Sequence, residues 1–553
     1  MTAGAGRPDL DAVARWVADD PYAGDRAELQ QLLDRTAAGD DAAAEDLAQR
    51  FAGTLTFGTA GLRGPLRAGP AGMNAAVVAR AAAGLGAHLA AEGLAGRGIV
   101  IGYDARHRSD EFARVSAQVL AGAGFAVQVL PRPLPTPVLA YAVRHLGAVA
   151  GVMVTASHNP PQDNGYKVYL GDGAQLVPPA DRQIEAAIGS VGAARDLPRS
   201  DEWTTLDDDV EADYVAAVVH ALQPDRVDAQ ARRRLVVAYT AMHGVGTTTT
   251  RSVFAAAGFS ALHAVPEQEH PDPDFPTVSF PNPEEPGAVD LLTALADRVG
   301  ADVAIAEDPD ADRCSVVCGG RQLTGDEVGA LLADWLLRRG VTGTYAASLV
   351  SGSLLAELTA AHGQPSERTP TGFKWIIRAG SSQAPLVYGY EEALGYAVSP
   401  GVARDKDGVS AALAVALLAA ELATTGRTLT DRLDEIAVEH GLFATGQLSV
   451  RDEDLAVIAD AMARLRAQPP ATLLDRAVTV EDLARAETPL DAVRLTGDGV
   501  RVVVRPSGTE PKLKAYLESV VPVPDAAGVA AARARGQVDL DRLRTEMSTA
   551  LGL

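Results

Sequence analysis

Cysteine is almost missing from this chain: Cys314 and Cys318 are the two thiols in 553 residues. Two are too few for a disulfide framework, and both fall in one short apolar stretch, so they read as buried free thiols in a reducing compartment. Long hydrophobic runs are missing too. The longest, at 411–420 and 146–156, reach about half of the ~20 residues that span a bilayer. The opening Met1-Thr-Ala-Gly-Ala-Gly-Arg-Pro-Asp9 has no apolar signal core. Positive charge is the third shortage. Against 72 acidic side chains stand 49 basic ones, a formal net charge of −23, and such a field repels phosphate backbones and anionic lipid. Nucleic acid and membrane surfaces are therefore poor partners, and a soluble cytoplasmic protein is expected. Aromatics are scarce at 5%, but 47% hydrophobic and 22% charged residues are ordinary for a globular chain, which excludes disorder as the dominant state.

What is present exceeds one hydrophobic core, since about 150 residues per domain gives three to four domains at this length. The first fifty residues are acidic, Ala-rich and helically spaced, and a Gly-rich loop carrying Arg63 and Arg67 follows. Strand and helix patterns then alternate through 98–103, 109–124, 125–130, 137–145 and 149–154. The alternation restarts at 234–239 and again near 343–349. That order predicts parallel sheets with crossover helices. The tail from about 441 differs, with two short strands around Thr496-Gly497-Asp498-Gly499 and a closing amphipathic helix.

Four loops could carry chemistry. The strand ending at Val154 runs into Thr155-Ala-Ser-His-Asn-Pro160, and open α/β sheets place ligands at strand C-termini, so Ser157 is a candidate nucleophile. Adjacent Ser157 and His158 are expected on opposite sides of an extended segment, and no Gly-x-Ser-x-Gly elbow exists, which disfavours a hydrolase. The strand 302–306 runs into Asp308-Pro-Asp-Ala-Asp-Arg313. Carboxylates at spacing two share one side of an extended chain, and their repulsion calls for a cation; an all-oxygen set favours Mg²⁺ or Ca²⁺. An EF-hand is excluded, because Arg313 and Gly319 stand where Gly and an acid are required. Tyr390-Glu-Glu-Ala-Leu-Gly-Tyr396 offers carboxylates to vicinal hydroxyls. Arg505-Pro-Ser-Gly-Thr-Glu-Pro511 combines a forked cation, hydroxyls and a turn able to form an anion nest, and points to a phosphate ligand.

A rival of another class is Gly244-Val245-Gly246, with Glu267 about twenty residues on, which has the outline of a dinucleotide fingerprint. Thr249 stands where the third glycine belongs. No P-loop sequence exists. An inert sugar-phosphate binder would explain Arg505 and Glu391 but neither Ser157 nor the carboxylates.

Together the four loops, with Phe57-Gly-Thr-Ala-Gly-Leu-Arg63 and Thr371-Gly-Phe-Lys-Trp375, resemble the signature loops of the α-D-phosphohexomutase family, in that family's order and across nearly the whole chain. The resemblance implies four domains around a central cleft: three related α/β units with mixed, largely parallel sheets and a C-terminal α+β domain, with boundaries expected at 1–210, 211–322, 323–440 and 441–553. It implies a phosphosugar mutase moving phosphate between the 1- and 6-positions, on glucose first and on mannose or pentose phosphates behind it, through a sugar bisphosphate that also activates the enzyme. Ser157 would carry the phosphoryl group, and Ser157, Asp308, Asp310 and Asp312 would hold Mg²⁺. Arg63 and Arg313 would face the phosphoryl group. Lys374 and His158 match acid/base and substrate-contact positions, and Glu391 matches a sugar ligand. Arg505, Ser507, Gly508 and Thr509 would hold the phosphate that is not reacting. Ala393 stands where hexose-specific members have Ser, and with Lys406-Asp407-Gly408 it resembles the phosphopentomutase-like branch.

Overall fold

In the computed structural model, residues 9–58, 61–452, 454–485, 490–507 and 512–553 are described. The chain packs into two compact units, residues 1–322 with 395–421, and residues 323–394 with 422–553.

The first unit opens with three helices, Leu10–Asp19, Ala23–Ala37 and Asp41–Arg50. Asp9 and Asp40 cap the first and third by accepting from Ala12 N (3.0 Å) and Ala43 N (3.1 Å). Their apolar stripes meet in a cluster of Val13, Leu29, Leu32, Ala43 and Leu47 that also takes Ala68. A six-stranded sheet follows. Its order is Leu62–Pro65, Asp163–Leu170, Ala150–Val154, Gly98–Tyr103, Ala126–Val129 and Thr204–Thr205. The first two pairings are antiparallel and the other three parallel. The central strands bury both faces, as parallel strands under crossover helices do.

The second sheet places Val303–Glu307 beside Val236–Thr240 and then Ala261–Ala264, all parallel, with Cys314–Cys318 and Arg321–Gln322 added antiparallel. Both cysteines are free and buried, as expected. Residues 395–421 return to this unit. Arg313 bridges to Gly395, the Asp405 carboxylate accepts from Tyr169 and Gln175 at 2.7 Å, and Asp407 accepts from Tyr214 at 2.8 Å.

In the second unit, Ser366–Thr369, Thr344–Ser348 and Leu386–Glu391 form a parallel ribbon. The C-terminal sheet is larger than the two strands predicted. Six antiparallel strands run in the order Leu442–Arg451, Lys512–Val521, Val500–Pro506, Val493–Gly497, Arg476–Asp482 and Thr472–Leu473, with helices Leu455–Ala467 and Val529–Leu551 contributing to the same core. Four strands go unread in the sequence: Leu442–Arg451 and Arg476–Asp482 are half-wet edge or near-edge strands whose polar residues dilute the alternation, Thr472–Leu473 is two residues long, and Lys512–Val521 lies inside the sheet. Among the described residues no helix is long and apolar enough to cross a membrane.

The Gly244-Val245-Gly246 segment is filled by protein. Val245 N donates to Pro309 O at 2.9 Å. A Cβ on Gly244 would lie 2.3 Å from Pro309 Cα, and one on Gly246 would lie 2.2 Å from a Glu307 carboxylate oxygen. These glycines let the carboxylate loop seat against the neighbouring strand-to-helix turn. Gly244→Ala is expected to destabilise the first unit by about 1–3 kcal/mol, the cost of forcing atoms into a filled site. Gly24→Ala, whose Cβ would meet nothing within 4 Å, should leave stability nearly unchanged. Calorimetry on the two variants checks the difference.

Candidate active site

The strand Ala150–Val154 delivers its buried C-terminal end into the Ser157 loop. Ser157 adopts a left-handed conformation (φ 53°), and its N–H donates to Thr155 Oγ1 at 2.8 Å. A non-glycine residue there costs about 1–2 kcal/mol, which the surroundings must hold. Arg106 does so. Its guanidinium donates to the carbonyls of Ser157, Asn159 (2.6 Å) and Pro160 (2.9 Å), while Asp104 pairs with its Nε at 3.3 Å. Because the segment is a tight turn, Ser157 and His158 do not diverge as an extended chain would make them. Ser157 Oγ lies 3.2 Å from His158 Nδ1 and donates to Asp308 Oδ2 at 2.7 Å. Burial, with Arg313 and Arg63 nearby, holds the His158 imidazole well below its ordinary pKa and therefore neutral. Arg63 reaches the same loop through Asn159 Oδ1 at 3.2 Å.

The second loop is also folded back, with Ala311 at φ 55° and its N–H donating to Asp308 O at 2.8 Å. Its carboxylates converge through this turn, and not through the alternation of an extended strand. Asp308, Asp310 and Asp312 are fully buried, and one oxygen from each lies within 4.8 Å of the others. Asp308 Oδ1 accepts from the N–H groups of Asp312 (3.1 Å) and Arg313 (3.0 Å). Asp310 Oδ2 accepts from Thr136 Oγ1 (2.6 Å) and Lys167 Nζ (2.7 Å). Asp312 Oδ2 accepts from Lys167 Nζ at 2.8 Å, with Lys406 Nζ at 3.3 Å. Burial and its two acidic neighbours push the Asp308 carboxyl well up. Asp312 is buried as well, but Lys167, Lys406 and Arg313 hold it far below the carboxylate range. The Oδ1 atoms of Asp310 and Asp312 are enclosed without a hydrogen-bond partner. Orphaned carboxylate oxygens beside a third carboxylate are the donor set of a hard divalent cation, so the residues fit a metal.

The remaining predicted residues lie in the second unit. Lys374 sits half-buried on the short helix Phe373–Ile376, and Glu391 ends the strand Leu386–Glu391. Arg505 is near the end of Val500–Pro506, and Ser507 N donates to Lys512 O at 2.7 Å just beyond it. Gly508 and Thr509 lie outside the described residues. Burial, with Glu392 and Glu391 nearby, pushes the Tyr516 hydroxyl up, against the Arg505 guanidinium that is hydrogen-bonded to it.

Arg106, Thr136 and Lys167 do not stand out in the sequence, and Lys406 stands out there only as part of a branch motif, not as a partner of the carboxylates. One signal exists for two of them. The chain has only five lysines, Lys167, Lys374, Lys406, Lys512 and Lys514, so any lysine is unusual, and two of the five meet on Asp312.

Family models for the domains of phosphoglucomutase/phosphomannomutase match in order: α/β/α domain I at residues 54–194, domain II at 212–321, domain III at 324–439 and the C-terminal domain at 459–536. The chain belongs to the phosphoglucomutase/phosphomannomutase family. A Haemophilus influenzae protein named as a phosphomannomutase is 44% identical over 466 residues, 81% of this chain and 93% of its own. Mouse phosphopentomutase is 34% identical over 536 residues, 86% of each chain. The crystal structure of a Thermus thermophilus protein named as a phosphomannomutase, 27% identical, superposes with a TM-score of 0.68 over 88% of this chain and 99% of its own. The chain is thus a phosphosugar mutase, an intramolecular phosphotransferase of the α-D-phosphohexomutase type.

One group gives this phosphomutase a pH signature. The Glu392 carboxyl is pushed up to about 7 by burial and by the charges of Glu391 and Asp326, against the hydrogen bond from Ser348. A raised carboxyl is neutral below that value and ionised above it, so the hydroxyls that hold it bind best above pH 7. The KM for a sugar phosphate is expected to fall as pH rises through 7. Glu392→Gln should remove that inflection while leaving the one due to the substrate phosphate, whose second pKa is about 6. Steady-state kinetics from pH 6 to 8 on both proteins check it.

Proposed function

We propose that the phosphomutase interconverts glucose 1-phosphate and glucose 6-phosphate through glucose 1,6-bisphosphate and phospho-Ser157, with a sugar site permissive enough for mannose and pentose phosphates. The observation that supports it most is Ser157 Oγ at 2.7 Å from Asp308 Oδ2, beside the two orphaned oxygens of Asp310 and Asp312.

In the first half, the free sugar hydroxyl attacks the phosphorus on Ser157 and the bond from phosphorus to Oγ breaks, with a net proton passing from the hydroxyl to Oγ. Neutral His158, with Nδ1 at 3.2 Å from Oγ, is placed to hand on that proton, and Lys374 is the second candidate. In the second half the bisphosphate presents its other phosphate and the same bonds exchange in reverse. Arg63 and Arg313 offset charge on the phosphoryl oxygens. Mg²⁺ is the proposed ion; held by Ser157, Asp308, Asp310 and Asp312, it would withdraw charge from those oxygens. Arg505, Ser507, Gly508 and Thr509 hold the distal phosphate. Glu391 accepts from vicinal sugar hydroxyls, which glucose and mannose share at positions 3 and 4, and Ala393 lacks the hydroxyl that would sharpen the choice. Four domains, divided at 210, 322 and 440, each supply one loop. Sugar phosphates are the partners and the cytoplasm is the proposed location.

Ser157→Ala should lower kcat by about 10³-fold or more, as loss of a nucleophile does. Peptide mapping after incubation with glucose 1,6-bisphosphate should find the phosphoryl group on Ser157 of the wild type and nowhere in the variant. Full activity in the variant contradicts the proposal. Chelation should abolish turnover and Mg²⁺ restore it, with Asp310→Asn needing about tenfold more Mg²⁺ for having lost one charged ligand. Glu391→Ala should impair every sugar, whereas Ala393→Ser should shift the kcat/KM ratio toward hexoses by about tenfold, one added hydrogen bond. An unchanged hexose to pentose ratio removes position 393 from the account.

A further inference from the structure

The stretch 348–353, which follows the strand Thr344–Ser348, is held from three elements at once. From the C-terminal sheet, Arg501 donates Nη1 to Leu349 O at 2.9 Å and Nη2 to Ser351 O. Glu518 accepts from Ser353 N at 2.5 Å and Ser353 Oγ at 2.6 Å, and it also accepts from Arg501 Nε at 3.3 Å. Arg368, on the strand Ser366–Thr369, adds a bond to Ser351 O at 3.1 Å. From the helix Gly325–Arg338, Asp326 Oδ1 accepts from Gly352 N at 2.6 Å.

The hydroxyls of the same stretch turn toward the sugar-type loop. Ser348 Oγ and Ser351 Oγ donate to Glu392 Oε2 at 2.9 and 3.0 Å, and Ser351 Oγ is within 3.1 Å of Glu392 N, from which it accepts. On the far side, Gly325 lies so close that a Cβ would sit 1.9 Å from Glu392 O. Glu392 is therefore fixed at its carboxylate, its N–H and its carbonyl. Glu391 and Ala393 flank this held residue in the chain, and Leu394 closes the turn at φ 62°.

We infer that Arg501 and Ser351 are positioning residues for sugar recognition: the C-terminal sheet sets the Glu391–Ala393 turn by gripping the 348–353 stretch, whose serines grip Glu392. This rests on the reading that Glu391 binds the sugar. Neither residue touches the sugar. A site with one main anchor and no hydroxyl at position 393 depends on where the backbone places that anchor, and a displacement of about 1 Å can cost 10²-fold. The arrangement also links the two loops, because Arg501 and Arg505 share the strand Val500–Pro506.

The test uses Arg501→Lys, which keeps the charge facing Glu518 but loses the fork, and Ser351→Ala, which removes the hydroxyl. Hydrogen exchange by mass spectrometry should show faster uptake in peptides covering 386–394 in both variants and unchanged uptake in peptides covering 150–160. KM for glucose 1-phosphate should rise about tenfold, as loss of a supporting contact does, and the glucose to ribose ratio of kcat/KM should move at least about threefold. A loop that only stabilised the fold would lower the melting temperature without moving that ratio. Unchanged uptake at 386–394 in both variants overturns the inference, as does faster uptake with an unchanged ratio. If one variant fails to fold, the other carries both readouts. A wild type that turns over no sugar phosphate defeats the proposed function and leaves the exchange measurement to decide the linkage.

Discussion

Three carboxylates buried within 4.8 Å of one another are the constraint around which the first unit is arranged. At an effective dielectric of about 20, each such pair of charges repels by roughly 3 kcal/mol, so the three together cost as much as many domains have in net stability. The protein answers with cations and donors. Lys167 bridges Asp310 and Asp312, Lys406 approaches Asp312 at 3.3 Å, and backbone N–H groups and the Ser157 hydroxyl satisfy Asp308. Two oxygens are still left over. A fold that meant only to neutralise its carboxylates would have hydrogen-bonded these as well; instead Asp312 Oδ1 has just a distant ion pair with Arg313 Nε at 3.9 Å, and preorganised oxygens without hydrogen bonds are what a cation needs.

The same constraint explains why residues 395–421 return to the first unit. Lys406 is useful only if the segment carrying it is anchored. Asp405, held by Tyr169 and Gln175, and Asp407, held by Tyr214, provide the anchors. Strained backbone gathers around the same loops, with left-handed Ser157, Met242, His243 and Ala311 all at turns after sheet strands. Such conformations persist where neighbours over-determine them, and Arg106 on three carbonyls of the Ser157 loop is that kind of neighbour.

The motifs are legible in the sequence because chemistry restricts them. Asp308, Asp310 and Asp312 read as a cation set from their number and chemistry, although the extended geometry expected to bring them together is not the one observed, and apolar runs place the strands 98–103 and 149–154 within a residue of their observed bounds. Side-chain direction is not legible at either loop, because positive φ at Ser157 and Ala311 cannot be read from period-two alternation. Arg106 is invisible, since one arginine among many carries no signal until its carbonyl partners are seen. The C-terminal sheet is under-read partly because the edge strand Leu442–Arg451 and the near-edge strand Arg476–Asp482 face water on one side and carry polar residues there, while Lys512–Val521 goes unread although it alternates inside the sheet. The Gly244-Val245-Gly246 pattern shows the opposite error: glycines spaced for a nucleotide serve a close approach between two loops.

Ser157 Oγ is the atom through which the phosphoryl group is proposed to pass, and every other assigned role depends on it. Rapid-quench single turnover tests this most directly: enzyme carrying labelled phosphate on Ser157 is mixed with excess glucose 1-phosphate in Mg²⁺, and the label is followed on protein, sugar and free phosphate. The label is expected to leave the protein for the sugar bisphosphate at a rate no slower than kcat. Label that stays on the protein through many turnovers, or that appears first as inorganic phosphate, would contradict a phosphoryl path through Ser157.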